Sequence, residues 1–244
     1  MQVKELYLTY ILENLEGERI KSAIVFVGTC RNAHTIQVDS SPFFFLSLSR
    51  TRIEWMILQE ERERERERGL VMKSASWLLL ATTTQVMCEE LGIDTVSLHS
   101  LSSQRSRVTS LDRFKSRAVN ILIATDVASR GLDIPTVDLV VNFDMPRRPS
   151  DYVHRVGRTA RAGRSGQALS IVTQYDVALV HEIEREVGQQ LELKELEENK
   201  VLKSISKVYT AKKAAQLKLI ESGFDSALKK RKEERKRRKA SKSE

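Results

Sequence analysis

Three arginines, Arg155, Arg158 and Arg161, recur at every third position of the octapeptide His154-Arg-Val-Gly-Arg-Thr-Ala-Arg161. Guanidinium is planar, permanently charged and matched to bidentate phosphate contacts. An arginine that meets a γ-phosphate from outside the main nucleotide pocket stabilises phosphoryl transfer. The spacing around Gly157 predicts that the three side chains share one side of a turn or helix start, with room for a close ligand. Taken alone, such a cluster reads more readily as a solvated basic turn. It is preceded, however, by Ala124-Thr-Asp-Val-Ala-Ser-Arg-Gly-Leu-Asp-Ile-Pro135, entered from the apolar run Asn120-Ile-Leu-Ile-Ala124. An apolar strand that breaks into small polar residues sets them at the carboxyl end of a parallel sheet, where open α/β folds bind ligands.

In this order the two segments resemble motifs V and VI of the DEAD-box RNA helicases of superfamily 2, and Ile24-Val-Phe-Val-Gly-Thr29 resembles their motif IV. The resemblance implies the carboxy-terminal RecA-like lobe of an ATP-dependent enzyme that locally separates RNA duplexes. It makes Arg158 and Arg161 the arginine fingers that reach the γ-phosphate of an ATP held mainly by another lobe, with Gly157 leaving the nucleotide room. Asp133 accepts a hydrogen bond from the ribose, and His154 and Arg155 contact the partner lobe and couple closure to the nucleotide. Thr29, Thr125, Ser129, Arg130 and Gly131 meet the RNA backbone, Gly131 by close approach. Arg105 joins them through Ser103-Gln-Arg105, which is similar to motif IVa. Ser106 stands where that motif more often has an acid, and Ala160 where motif VI more often has glycine. Backbone contacts imply little sequence specificity. Read without the family, Asp133 before Ile134-Pro135 closes a turn, His154 is a satisfied structural histidine, and Arg105 sits on the charged outer face of an amphipathic helix.

The sequence contains no G-x-x-x-x-G-K-[ST] loop and no Asp-Glu-Ala-Asp. In the resembled family those parts hold ATP and Mg²⁺ in an amino-terminal RecA-like lobe, and the present chain opens about where the linker between lobes would run. Alone it is expected to be inactive, because positioning and metal charge supply most of the catalysis in phosphoryl transfer. Two rivals stand beside the helicase lobe: a non-catalytic RNA-binding or regulatory isoform, and a DNA helicase lobe of the same superfamily. Leu98-His-Ser100, the stretch Ile121 to Val137 and Val172-Thr-Gln-Tyr-Asp176 resemble nucleolar members that assist small-subunit ribosomal RNA processing. That likeness implies pre-ribosomal protein partners and a nuclear, nucleolar location.

These residues need a frame of alternating strands and helices. Strands are predicted near Ala23 to Val27, Thr95 to Leu98, Asn120 to Ala124, Val137 to Asn142 and Ala168 to Val172. Helices are predicted over residues 3 to 16, after Thr29, from Ser102 to Arg117, after Ser150 and from Tyr175 to Gln189. Alternation of this kind predicts parallel β-α units in a three-layer α/β domain. Leu191 to Val201 and Val208 to Ile220 are helical in pattern, so residues 191 to 228 form a helical extension.

One stretch violates the pattern. From Val38 to Gln85 the chain runs through Ser-Ser-Pro-Phe-Phe-Phe, alternating Glu and Arg over 61 to 68, and Trp-Leu-Leu-Leu-Ala-Thr-Thr-Thr. Excising these 48 residues joins Arg31-Asn-Ala-His-Thr-Ile-Gln37 to Val86-Met-Cys-Glu-Glu-Leu-Gly92. Ala33, Ile36, Cys88 and Leu91 then follow at steps of three, four and three, one amphipathic helix ended by Gly92. Valine codons begin with GT, glutamine can be CAG, and a GA repeat encodes alternating Glu and Arg, so the segment has the marks of a retained, in-frame intron. Residues 38 to 85 are accordingly expected to be foreign and disordered between two parts of the lobe, 1 to 37 and 86 to 190. The alternative is a genuine insertion whose Glu-Arg run is a solvated helix.

The chain has 244 residues and is 41% hydrophobic, enough for a sizeable core. Net charge is +8, but residues 229 to 244 carry ten Lys/Arg against three Glu, so only +1 belongs to the rest. Basicity is therefore a property of a tail whose run from Lys229 to Lys239 lacks apolar residues and is expected to be disordered. Cys30 and Cys88 have neither metal-ligand spacing nor the count of a disulfide framework and are expected to be buried thiols. No apolar run approaches the roughly twenty residues of a membrane span, and the amino terminus lacks the pattern of a secretory signal.

Overall fold

The computed structural model describes residues 3–28, 76–99, 102–129, 131–160 and 165–223. Ala23–Phe26 (β1), Thr95–Leu98 (β2), Ile121–Ala124 (β3), Leu139–Asn142 (β4) and Gln167–Ser170 (β5) form one parallel sheet in the order β2-β3-β1-β4-β5. All residues of β1 to β4 are buried, as expected of strands covered on both faces. β5, at the edge, is half-exposed. Ala23 pairs with Ile121 on one side and Leu139 on the other, so β1 is central and its carboxyl end opens between those of β3 and β4.

Alternate side chains serve opposite faces. Ala23, Val25, Ile121, Ile123, Leu139 and Val141 pack beneath α1 (Val3–Glu13), α2 (Ser76–Glu90), α7 (Glu198–Leu202) and α8 (Ile205–Glu221). Ile24, Phe26, Leu122, Ala124 and Val140 pack with Val96 and Leu98 against Phe114 of α3 (Gln104–Lys115). Complete burial of an Ile or Leu such as Ile24 or Leu122 contributes roughly 1.5–3 kcal/mol. The three-layer α/β lobe is therefore present. A short helix, α4 (Asp126–Ser129), follows β3, α5 (Pro149–Val156) follows β4, and α6 (Val177–Val187) packs on α5 around Met145, Tyr152 and Ile183.

Three expectations need correction. Helix α1 buries Leu8 and Leu12 as well as Leu6, while Tyr7, Tyr10 and Ile11 are only half-buried. It packs in one core with the sheet and the carboxy-terminal helices, so two faces are covered, whereas the spacing of Val3, Leu6, Tyr7, Tyr10, Ile11 and Leu15 predicts a helix that docks only one.

The predicted helix over Leu191 to Val201 is present only as α7, and residues 191 to 197 are irregular. Leu191 N–H donates to the Glu184 carboxylate at 3.0 Å, which holds that acid below its usual range, and Leu196 packs into the core, so this segment runs as a bridge. Helix α8, by contrast, spans the predicted stretch and buries Val208, Ala211, Ala215 and Leu219. Lysines of the extension reach acids of the lobe: Lys194 to Glu18 at 2.9 Å, Lys207 to Glu13 at 2.9 Å, Lys212 to Glu5 at 2.8 Å, and Lys218 to Glu90.

The third correction concerns residues 38 to 85. Their carboxyl end is not disordered: residues 76–85 form the first part of α2, with Ala81 and Thr84 at 0% and 2% exposure. Ala81 and Thr84 stand 48 positions after Ala33 and Ile36, so they hold the helical register that the excised chain would give those two residues. Thr84 suits that place because its hydroxyl donates to the Leu80 carbonyl at 2.8 Å. The helix continues through buried Met87 and Cys88 to Glu90, and the turn that stops it carries Gly92, whose φ of +77° favours glycine. Burial pushes the Cys88 thiol up to about 12. The remainder of 38 to 85, the helix after Thr29, Cys30 and the basic tail lie outside the described residues.

Candidate functional site

Among the described residues, no helix is long and apolar enough to cross a membrane, and no group of three or more metal-ligating side chains occurs. The polar residues instead collect where the carboxyl ends of β1, β3 and β4 meet α5.

Arg155 lies at the centre. Helix α5 begins with Pro149 in its first turn, carries Asp151 there and His154 and Arg155 in its last, and is capped by Gly157. A Cβ on Gly157 would stand 3.0 Å from the Val153 carbonyl, so the cap is tight although its φ is ordinary. Arg155 was expected to face a partner lobe; instead it turns inward and is 2% exposed. Its Nε and one terminal nitrogen donate to the two oxygens of Asp126, each at 2.7 Å. The other terminal nitrogen donates to the Asp144 carbonyl at 2.7 Å and to Asn142 Oδ1 at 3.1 Å. Phe26 lies beneath the guanidinium, 5.2 Å from ring centroid to its carbon. A buried cation demands this complete set of partners.

The correction follows from where the helix stops. A three-residue repeat keeps one face only while the helix continues, and this one ends at Val156. Arg155 therefore points to the sheet, whereas Arg158, beyond the cap, is half-buried at the rim. The Arg158 amide donates to the Arg155 carbonyl at 3.0 Å, and its own carbonyl accepts Val137 N–H at 3.0 Å. Thr159, buried, donates its hydroxyl to the Val137 carbonyl at 2.6 Å. The segments resembling motifs V and VI are bonded to each other through Arg155 and Asp126, and the bonds of Arg158 and Thr159 add the strand entry at Val137 to the same contact. Ala160, one residue on, adopts φ +52°, a left-handed conformation that costs an L-residue roughly 1 kcal/mol and that glycine would avoid.

A groove of about 190 Å³ lies between these segments, lined in part by Asp126, Ser129, Gly131, His154, Arg155 and Arg158. His154 is exposed, and Gly131 is exposed with φ +74°. A Cβ on Gly131 would meet nothing within 4 Å, so its backbone conformation calls for glycine. Ser129 is buried and its hydroxyl donates to the Asp126 carbonyl at 3.1 Å. Thr125, expected to touch RNA, is fully buried, with its hydroxyl lacking a hydrogen-bond partner among the described residues.

Asp133 stands outside the groove with its side chain 93% exposed and accepts from Lys115 at 2.9 Å. That bond, the lysine's charge and Arg158 hold its carboxyl below the usual range. Arg105 is exposed on α3, whose first turn is capped by Ser103 Oγ accepting from Ser106 N–H at 3.0 Å. Thr29, Arg130 and Arg161 lie outside the described residues.

Sequence reading missed Asp126, Asn142, Asp144 and Lys115. Asp126 was within reach, because an arginine bound for the interior needs an acid and Asp126 follows directly on a buried strand. Asn142 and Asp144 carried no comparable signal.

The sequence pattern of the helicase conserved C-terminal domain matches residues 58–163. The chain is 41% identical over 228 residues to DEAD-box ATP-dependent RNA helicase 36 of Arabidopsis thaliana, covering 93% of this chain and 37% of that protein. It is 43% identical over 235 residues to ATP-dependent RNA helicase dbp8 of Schizosaccharomyces pombe, covering 96% and 41%. It thus spans about two fifths of the length of these relatives. Among solved structures, that of E. coli DEAD-box protein SrmB bound to regulator of ribonuclease activity A is similar at 30% identity and a TM-score of 0.51, over 81% of this chain and 86% of that one. Parallel sheet, bonded motif segments and relatives agree: the chain belongs to the DEAD-box ATP-dependent RNA helicases, as a carboxy-terminal RecA-like lobe.

Proposed function

We propose that this lobe completes the ATP site of a two-lobed RNA helicase and supplies part of its RNA-backbone surface. One observation carries the reading: Arg158 is fixed at its backbone by Arg155 and Val137 while its side chain lines a groove of about 190 Å³. That volume is below the roughly 300–1,000 Å³ of a complete small-ligand pocket, as suits a half-site closed by a second surface. In that closed state Arg158, with Arg161, meets the γ-phosphate, and Gly157 keeps the approach clear. Asp133 exchanges Lys115 for the ribose hydroxyls, and His154 faces the other lobe. Arg155 acts from within, holding the end of α5 and hence Arg158.

Mg²⁺ neutralises phosphate charge from the other lobe. Thr29, Arg105, Thr125, Ser129, Arg130 and Gly131 contact the RNA backbone, which for Thr125 and Ser129 requires that the turn after β3 open. The activity is local strand separation. The stretches resembling nucleolar members favour ribosomal RNA precursors as substrate, pre-ribosomal proteins as partners and a nucleolar location.

Replacing Arg158 and Arg161 with lysine in the two-lobed enzyme tests this. RNA-stimulated ATP turnover falls by on the order of 10³-fold, as for other arginine fingers. Undiminished turnover rejects the reading.

A further inference from the structure

We infer that Lys4 and Asp144 are positioning residues that tie the entry of the chain into the lobe to the arginine site, an inference that rests on the function proposed above. Lys4, in the first turn of α1, is 16% exposed at its side chain. Its ammonium donates to the Phe143 carbonyl at 3.1 Å, to Asp144 Oδ1 at 3.3 Å and to Asp176 Oδ2 at 3.5 Å. Asp176 in turn accepts the Thr173 amide at 2.9 Å and hydroxyl at 2.7 Å, which fixes the start of α6.

Asp144 is the node. Its Oδ2 accepts Gly28 N–H at 3.0 Å, at the end of β1, and its backbone carbonyl accepts Arg155 at 2.7 Å. Gly28 fits this contact closely, since a Cβ there would stand 2.8 Å from Asp144 Cβ and 3.7 Å from an Arg155 terminal nitrogen. A continuous path therefore runs from Lys4 through Asp144 to the Arg155 side chain, and from the Arg155 carbonyl to the Arg158 amide.

The charges explain why the path is stiff. Among the described residues, Asp126, Asp144 and Asp176 form three partly buried carboxylates shared by two cations, Lys4 and Arg155. Moving Lys4 strips two acids of their cation at once, and mutual repulsion then acts on the segment that carries the Asp144 carbonyl. On the proposed reading, polypeptide from the other lobe enters through α1. A displacement of α1 on lobe closure is thereby delivered to Arg158 without passing through the nucleotide. Asp144 and Lys4 touch no reacting atom and act only through Arg155.

The test combines two measurements. In the full present chain, the Arg155 Nε–H resonance reports its bond to Asp126, and its exchange with water is slow in the native lobe. Lys4→Met and, from the steric side, Gly28→Ala shift this resonance and speed its exchange. Lys4→Arg restores it. Leu8→Ala, a core change in the same helix, lowers stability without moving the resonance. In the two-lobed enzyme Lys4→Met lowers kcat by on the order of tenfold, less than the hundredfold of a full 1 Å misplacement, with KM for ATP unchanged.

An unmoved Arg155 resonance and full kcat in Lys4→Met overturn the inference. So does an equal loss of kcat in Leu8→Ala at temperatures where both variants are folded. If Lys4→Met moves the resonance while Arg158→Lys leaves turnover intact, the path stands and the proposed function fails.

Discussion

Arg155 and Asp126 face each other through two parallel hydrogen bonds of 2.7 Å, with 2% and 18% of their side chains exposed. Asp126→Ala leaves the arginine charged and buried with its other partners unable to neutralise it. The expected cost is about 3–5 kcal/mol, read from urea unfolding. Arg155→Met together with Asp126→Ala should cost less than the sum of the single changes, because neither charge is then stranded. Additive losses would show that the pair is not coupled.

Asp133 makes its bond in the open. Lys115 holds its carboxyl below the ordinary value of 3.8. A carboxyl whose folded pKa is depressed adds stability above its unfolded pKa and loses it as pH falls through the folded value. Carboxyl-carbon NMR should therefore show a midpoint below 3.8 in the native chain, rising towards it in Lys115→Met and in molar salt. An unchanged midpoint in Lys115→Met would reject the ion pair as the cause.

The lysines of the carboxy-terminal extension should differ in worth. Lys212 faces Glu5, whose side chain is 4% exposed, whereas the Lys194–Glu18 and Lys207–Glu13 pairs are substantially more open. Lys212→Met should cost about 2–3 kcal/mol, towards the range for stranding a buried charge, and the other two below about 1 kcal/mol each. Thermal melts of the three variants decide the order, and equal losses would refute it.

Helix α2 should accept either of two amino-terminal halves, because Ala81 and Thr84 keep the register of Ala33 and Ile36. Deletion of residues 38 to 85 should keep the fold, place Ile36 where Thr84 packs, and leave Cys88 as slow to react with thiol reagents as in the present chain. Rapid labelling of Cys88 in the deleted chain, which also lacks Cys88's native shielding if the helix fails to dock, would count against the shared register.

Much of the frame was legible because parallel strands covered on both faces are continuous apolar runs. Thr95 to Leu98 was read with its observed limits, and Ile121 to Ala124 within a residue of them. Arg158 was singled out by residue type and by the motif it resembles; its place at a groove rim was not legible. The inward turn of Arg155 was not either, because it depends on the helix ending at Val156, and periodicity extrapolates through such an end. Nor was the start of α2, since Ala81 and Thr84 mimic Ala33 and Ile36 only once the register is known. The irregular course of residues 191 to 197 depends on a carboxylate of Glu184 several positions earlier, beyond any local pattern.

Ala160 sits between Arg158 and Arg161 in a backbone shape that an alanine resists. The backbone at Ala160 is consequently held under tension: on the proposed reading, a triphosphate that drew this residue into a relaxed path would regain that roughly 1 kcal/mol as affinity. A glycine at this position would surrender the bonus and leave a more compliant tether in exchange.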